Sequence, residues 1–387
     1  MDKTRSKILI AGPFRDFGGR EVEGNLVART LDDKYFVSVF STELMGENSA
    51  VLSGLNIPFS VLHYRLLRAS VLLRVMAILT WARSGFKGKV ANYVKNKTVL
   101  DSSILLKETG SIIEDLVESS DLIFLCAQLS TMYVREFLAH ARELNKPIVI
   151  RVTGTVYSMS ETAAQHFNEV DLFLMHSKRN SEALKKFVTA PVRVIDQTSL
   201  WEENLLQLPI VSSDIRTFGF LGRISEEKGI LELIDLFTHF PEFKLEIAGE
   251  GPLIKDVLRR CEDYDHIIYN GIYKANEVEG FYERIDCLVI CSHEESGPLV
   301  GLEAMAAGKL ILSTDVGAMK ERLQGTGNDF WFDLLDTTSF GEQLNRIIAL
   351  NPRELEEIRT NNRKRYLEAY QLEKIAGQYK DCVDYLI

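Results

Sequence analysis

Three short stretches set charged side chains beside glycine turns where a strand gives way to a helix. In EESGPLVGLEAMAAGKLI (294–311), Glu295 and Glu303 flank Gly297-Pro298 with seven residues between them. With Pro298 at the first helical position, its missing N–H costs nothing. The amides of Leu299, Val300 and Gly301 then point out of the helix end and can receive an anion. Glu295 lies in the loop before the helix, and Glu303 about one turn further in. Two carboxylates around an anion-binding helix end suit a ligand with phosphate in its middle and hydroxyls at both ends, such as a nucleoside diphosphate sugar. Capping by dipole-favoured glutamates explains either residue alone, but not their spacing joined to Gly-Pro.

The second stretch is FGFLGRISEEKGILELI (218–234), with Gly222-Arg223 just past a strand and Lys228 at a helix start. A lysine at the positive end of a helix is unfavourable unless something negative is bound there. Arg223 and Lys228 converging at a strand's carboxyl end make a diphosphate clamp; pairing with Glu226 and Glu227 is the competing explanation. The third is FRDFGGREVEG (14–24), where Gly18-Gly19 let the backbone approach a ligand closely. It lacks the GxGxxG spacing, and the chain has no P-loop.

Positioning these stretches requires strands that end beside helices. Apolar runs alternate with helical patterns throughout: 7–12, 35–41, 121–127, 147–153, 171–177, 192–196, 216–222, 243–249, 266–270, 286–292 and 309–314. Continuous apolar strands separated by helices predict parallel sheets covered on both faces, with ligands at the strands' carboxyl ends. The pattern lapses around 201–215 and restarts at Arg216. This divides the chain into domains at 1–205 and 206–369, with a helix of about 370–387 free to pack back on the first.

At 387 residues the chain suits two domains. The net charge of −10 argues against nucleic acid as a partner. The charge is uneven: residues 1–200 carry 25 basic against 21 acidic side chains, and the remainder 20 against 34. Residues 48–100 hold eight Lys/Arg and no Asp or Glu. The segment 61–97 contains SVLLRVMAILTWARSGFKGK, which fits a helix lying on an anionic membrane surface. A core helix with a solvated basic flank fits as well, and Arg74 within the apolar run argues against a membrane span. The five scattered cysteines read as free thiols in a reducing cytosol. The N-terminal apolar run is too short for a signal peptide.

ESGPLVGLEAMAAGK, together with GRISEEKG, IAGEGPL, YNGIY and STDVGAMKE, resembles the signature of family 4 retaining glycosyltransferases of the GT-B fold, strongly over about 216–350. The resemblance implies an α/β fold of two Rossmann-like domains. It implies that Arg223 and Lys228 bind a donor pyrophosphate, Glu303 the ribose and Glu295 the transferred sugar. Gly222, Gly297, Pro298 and the amides of Leu299 and Val300 would line that donor site, with Ile272 and Tyr273 against the base and Gly18-Gly19 on the facing domain. It further implies a cytoplasmic enzyme, peripheral at the membrane, that moves a sugar from a UDP- or GDP-sugar to a glycan or lipid-linked acceptor. Neither metal nor other cofactor is expected; Asp263-Tyr264-Asp265 precedes a strand and reads as a solvated loop. Two departures from the family pattern stand out. No histidine occurs in Thr153-Gly154-Thr155, and Asp196-Gln197-Thr198 replaces the usual Asn-Gly turn. A sugar-nucleotide epimerase and a silent nucleotide-sugar-binding protein remain the alternatives.

Overall fold

The computed structural model describes residues 5–95, 103–210, 215–273 and 277–387. They form two compact units. The first lies within Met1–Met175, Ser181–Ile195 and Ala376–Ile387; the second takes His176–Asn180 and Asp196–Ile375.

The first unit contains β1 (Lys7–Gly12), β2 (Phe36–Ser41), β3 (Phe59–Val61), β4 (Leu122–Ala127), β5 (Ile148–Val152), β6 (Leu172–Met175) and β7 (Val192–Val194). All pair in parallel, in the order β3-β2-β1-β4-β5-β6-β7. Every residue of β4 and β5 is buried, as a strand covered by helices on both faces requires. The order reverses between β1 and β4, where a doubly wound sheet opens a crevice.

Helices of this unit include α1 (Gly19–Asp32), α2 (Leu62–Ala69) and α3 (Val71–Arg83). A buried ion pair fastens α1 to the sheet. Arg151 on β5 donates from Nε to Glu23 Oε1 at 2.5 Å and from Nη1 to the Ile195 carbonyl at 2.6 Å. Tyr379, on the C-terminal helix, donates to the same Glu23 oxygen at 2.9 Å and so ties that segment into the unit. A charge pair removed from water this fully is stable only when its remaining valences are met, which the carbonyl and phenol help to do.

α3 is organised differently. Ser70 Oγ caps it by accepting from the Leu73 amide, yet only Leu73 and Ala77 among its residues are buried. Val71 is 69% exposed and Leu79 53%, and Leu72, Val75 and Ile78 share their side of the helix. Phe86, in the turn that follows, is exposed as well. No described helix is long and apolar enough to cross a membrane. Residues 96 and 97 of the basic segment lie outside the described residues, as do 211–214 of the expected inter-domain stretch.

The second unit holds β8 (Thr217–Leu221), β9 (Lys244–Ala248), β10 (Ile267–Tyr269), β11 (Cys287–Ile290), β12 (Leu310–Ser313) and β13 (Phe330–Trp331), all parallel. Their order is β10-β9-β8-β11-β12-β13, so the reversal falls between β8 and β11. α4 (Ile230–Phe237) follows β8 and α5 (Leu299–Ala306) follows β11. Helix Pro352–Ala369 starts on a capping box in which Asn351 Oδ1 accepts from the Glu354 amide and Glu354 accepts from the Asn351 amide.

Candidate functional site

The two strands at the switch point of the second unit deliver the charged stretches singled out by spacing. β8 ends in Gly222-Arg223, and its neighbour β11 ends in the loop 291–298. Close backbone contacts fix the first arm. The Gly222 amide donates to Ala248 O at 3.1 Å, and the Ile224 amide to Glu250 O at 2.8 Å. Gly249 has φ +136°, and a Cβ there would lie 1.8 Å from the Gly222 carbonyl oxygen. This is the physical reason for glycine in IAGEGPL: a second backbone passes where a side chain would sit.

Lys228 ends a 3₁₀ turn (Glu226–Lys228), and α4 begins only after Gly229, whose φ is +64°. The lysine was expected at the helix start and instead precedes it by one turn residue. Gly229 sits against the Cys291 carbonyl, where a Cβ would be 2.2 Å away. The Cys291 thiol donates to Lys228 O at 3.0 Å, and the His293 amide to Glu227 O at 3.0 Å. These contacts bring the two arms together. The Lys228 ammonium donates to Glu295 Oε1, and the Ser292 hydroxyl lies 3.4 Å from the same oxygen. Pairing of Lys228 with neighbouring glutamates was the competing expectation; the partner at contact distance is Glu295. Burial, reinforced by the Arg223 guanidinium, lowers the lysine to about 8, against the pull of Glu227 and Cys291. Arg223 itself is exposed beside it.

Pro298 occupies the N-cap, not the first helical position expected for it, and Leu299 opens α5. No side chain caps this helix end. The Gly301 amide, expected to be free, turns back to Pro298 O at 3.2 Å. That leaves Leu299 and Val300 as the amides facing outward. Gly297 admits no side chain, because a Cβ would come 2.8 Å from Arg322 Nη2. Gly301 likewise lies against Met319, whose Sδ a Cβ would approach to 2.5 Å. Such packing accounts for the small residues of GLEAMAAG, in which Gly301 through Ala306 are buried.

Glu303 is among these buried residues, with Oε2 accepting from Tyr282 Oη at 3.1 Å; the same phenol oxygen lies 2.9 Å from Val300 O. Burial raises its carboxyl to about 7, and the phenol's hydrogen bond offsets part of that rise. Ile272 is exposed, and Tyr273 packs its ring on Phe281 at 5.6 Å between centroids. Asp263, Tyr264 and Asp265 are exposed between a helix and the start of β10, away from the strand ends that carry Arg223 and Glu295.

Several residues in this network carried no signal in the sequence. His176 Nδ1 lies 2.9 Å from Ser296 Oγ, and Asn180 donates to Ser296 O at 2.8 Å. Arg322, fully buried, donates to Asp196 from Nη2 at 2.6 Å and from Nε at 3.1 Å. It also reaches Pro298 O at 2.6 Å from Nη1. The contacts of His176, Asn180 and Asp196 span more than a hundred positions of the chain, and no local spacing could betray them.

In the first unit, Gly18 is the N-cap of α1 at φ 157° and Gly19 its first residue. Glu21 Oε1 accepts from the Arg15 amide at 2.8 Å, which folds the loop over the start of the helix. Arg20 Nε donates to Thr153 Oγ1 at 3.2 Å.

Two parallel, doubly wound units define the GT-B class of glycosyltransferase fold, and solved structures agree. Anabaena HepE in complex with UDP gives a TM-score of 0.73 at 16% identity, covering 98% of this chain and 100% of that one. A glycosyltransferase from Rickettsia africae gives 0.74 at 13%, covering 99% and 98%. Residues 209–365 match the model of the glycosyl transferases group 1. Among relatives, a glycosyltransferase of Methanocaldococcus jannaschii is 28% identical over 186 residues, 46% of this chain and 47% of its own length. The lipopolysaccharide 1,2-N-acetylglucosaminetransferase of Salmonella typhimurium is 26% identical over 196 residues, 46% of this chain and 51% of its own. The chain thus spans about half the length of the curated relatives it matches.

Proposed function

We propose that the protein is a retaining glycosyltransferase that transfers a sugar from a UDP- or GDP-sugar to a glycan or lipid-linked acceptor in cell-surface polysaccharide synthesis. The observation that carries this reading is the convergence at one switch point of Arg223 and Lys228 from β8 with Glu295 and the uncapped end of α5 from β11. The donor's diphosphate meets Arg223, Lys228 and the amides of Leu299 and Val300. Its ribose hydroxyls bond Glu303, and the sugar hydroxyls bond Glu295. Gly222, Gly297 and Pro298 allow close approach of the backbone, and Ile272 and Tyr273 flank the base.

As the glycosidic bond to the diphosphate breaks, negative charge grows on the leaving oxygen. Lys228, Arg223 and the helix end stabilise it there. The acceptor hydroxyl attacks the oxocarbenium-like carbon from the same face, and its proton passes to the departing phosphate oxygen. The cations and amides supply the counter-charge, so activity is expected to survive chelation of divalent metal by EDTA. The relatives named above support the acceptor class, and the binding of UDP by HepE supports a uridine donor.

A lipid-linked acceptor would bring the protein to a membrane. The outward aliphatic side of α3, together with Arg65, Arg68, Arg74, Arg83, Lys87 and Lys89 in a region without carboxylates, suits an anionic bilayer surface.

A thermal-shift screen with UDP, GDP and ADP and their sugar conjugates tests the donor site. A binding nucleotide raises the melting temperature by mass action, and slow release of free sugar with retained anomeric configuration identifies the transferase. No shift with any of them would remove the reading.

A further inference from the structure

We propose that Arg322 is a positioning residue for the donor loop, holding the Glu295–Leu299 segment in its working geometry through Asp196 and Gln197. The inference rests on the reading of that segment as a donor site.

All five N–H groups of this buried guanidinium have a direction. Nε and Nη2 bind the two oxygens of Asp196 at 3.1 and 2.6 Å, and Nη2 also meets Gln197 Oε1 at 3.2 Å. Nη1 meets Pro298 O at 2.6 Å and faces Met319 Sδ at 3.9 Å. The carboxylate takes the guanidinium in the two-pronged arrangement that fixes orientation as well as charge. What remains of the fork is thereby aimed at the carbonyl of the residue that caps α5.

The geometry around Gly297 shows how tight the arrangement is. A Cβ on it would strike both Arg322 Nη2, at 2.8 Å, and Gln197 Oε1, at 3.1 Å. On the other flank, Gly317 adopts φ +54° and lies against the backbone oxygens of Ser296 and Glu295, which a Cβ would approach to 2.7 and 2.9 Å. The turn containing Gly317 leads directly into Met319–Arg322. One short segment therefore supports the donor loop twice, by backbone contact under Glu295 and Ser296 and by Arg322 at Pro298.

This also gives a purpose to Asp196-Gln197, which stand where the family pattern has Asn-Gly. An Asn-Gly pair could neither neutralise a buried guanidinium nor orient it. The acidic residue and the arginine form a unit: either alone would be an uncompensated buried charge.

The test compares wild type with Arg322→Lys, Asp196→Asn and Gln197→Ala, using UDP-, GDP- and ADP-glucose as donors and the free diphosphates as binding probes. Lysine keeps the charge opposite Asp196 but cannot bind the carboxylate and reach Pro298 O together. Donor hydrolysis by Arg322→Lys is expected to lose about tenfold or more in kcat, as for other small displacements of a reacting group. The Kd of the free nucleoside diphosphate, shared among Arg223, Lys228, Glu303 and the amides of Leu299 and Val300, should change by a smaller factor than kcat. The double variant Asp196→Asn/Arg322→Lys should lose no more than the worse single one. If Arg322→Lys fails to fold, Gln197→Ala, which strands no charge, carries the same expectation at about threefold. A folded variant with wild-type kcat and only a lowered melting temperature assigns Arg322 a purely structural role and overturns the inference. A wild type that binds none of the nucleotides overturns the donor-site reading and this inference with it.

Discussion

Lys228 and Glu295 are paired across the switch point of the second unit although 67 positions separate them in the chain. The cation comes from the strand–helix turn after β8 and the carboxylate from the loop after β11. Each is held by backbone contacts of its own arm with the other arm. The ammonium spends one N–H on Glu295 and has two others to offer a phosphate.

Removing either cation should therefore cost rate more than fold. Arg223→Ala and Lys228→Ala are each expected to lose about 10²-fold in kcat for donor cleavage, as when a group facing developing charge is deleted elsewhere. Steady-state kinetics beside a thermal melt separate the two effects; near-normal turnover in both variants would exclude the clamp.

The pH profile follows from two displaced groups. Burial raises Glu303 to about 7 in the fold, and on the proposed donor reading it must be ionised to accept ribose hydroxyls, so kcat/KM is expected to fall as pH drops below that value. Lys228, lowered to about 8, loses its charge above it. A bell with its maximum between about 7 and 8 is expected in kcat/KM, which reports the free enzyme's groups. Glu303→Gln should flatten the acid limb, and Lys228→Arg should carry the basic limb to higher pH. Stability has the opposite sign for Glu303. Its folded value lies above the ordinary 4.5, so the folded state holds the proton more tightly and this group's contribution is lost as pH rises through 7.

Gly249→Ala tests the close approach of the two loops. A methyl 1.8 Å from the Gly222 oxygen cannot be accommodated without moving one backbone. The expected cost is about 2–4 kcal/mol in denaturant unfolding, with donor affinity reduced because Gly222-Arg223 moves. An unchanged midpoint would mean that the loops separate freely.

Vesicle sedimentation tests the exposed side of α3. The protein should pellet with phosphatidylglycerol-containing vesicles and not with pure phosphatidylcholine, and less so as salt is raised. Leu72→Ser combined with Leu79→Ser should abolish pelleting while donor hydrolysis stays unchanged. Pelleting that persists in this variant would assign membrane contact to another surface.

The eleven apolar runs marked as strands in the sequence all contain strands, and for the central ones the reason is that a strand buried on both faces leaves little choice of residue. β3 and β13 escaped notice for the complementary reason. They are edge strands of three and two residues, which leaves little to recognise, although β7 and β10, also edge strands of three, were marked. Arg223, Lys228, Glu295 and Glu303 were legible because each stands next to a glycine turn or on the helix it opens. Pro298 was misplaced by one residue, since proline's fixed φ suits the position before a helix as well as its first residue. Arg322 and His176 were illegible, and Asp196, marked only as part of a departure from the family pattern, gave no hint of its partner. Their contacts depend on which loops the sheet order brings together, and no local pattern encodes that order.

The register of β8 with β11, in which Phe218 stands opposite Cys287 and Gly219 opposite Leu288, has a kinetic consequence. These partners are separated by roughly seventy residues, and closing so long a loop precedes any reward from the contact. A chain whose synthesis has passed α4 but not yet reached β11 holds the cations and lacks everything that faces them. On the proposed donor reading, Arg223 and Lys228 meet Glu295 and the end of α5 only when this central pair of strands joins. A ligand present during refolding acts only after that step, slowing unfolding without hastening the search that precedes it.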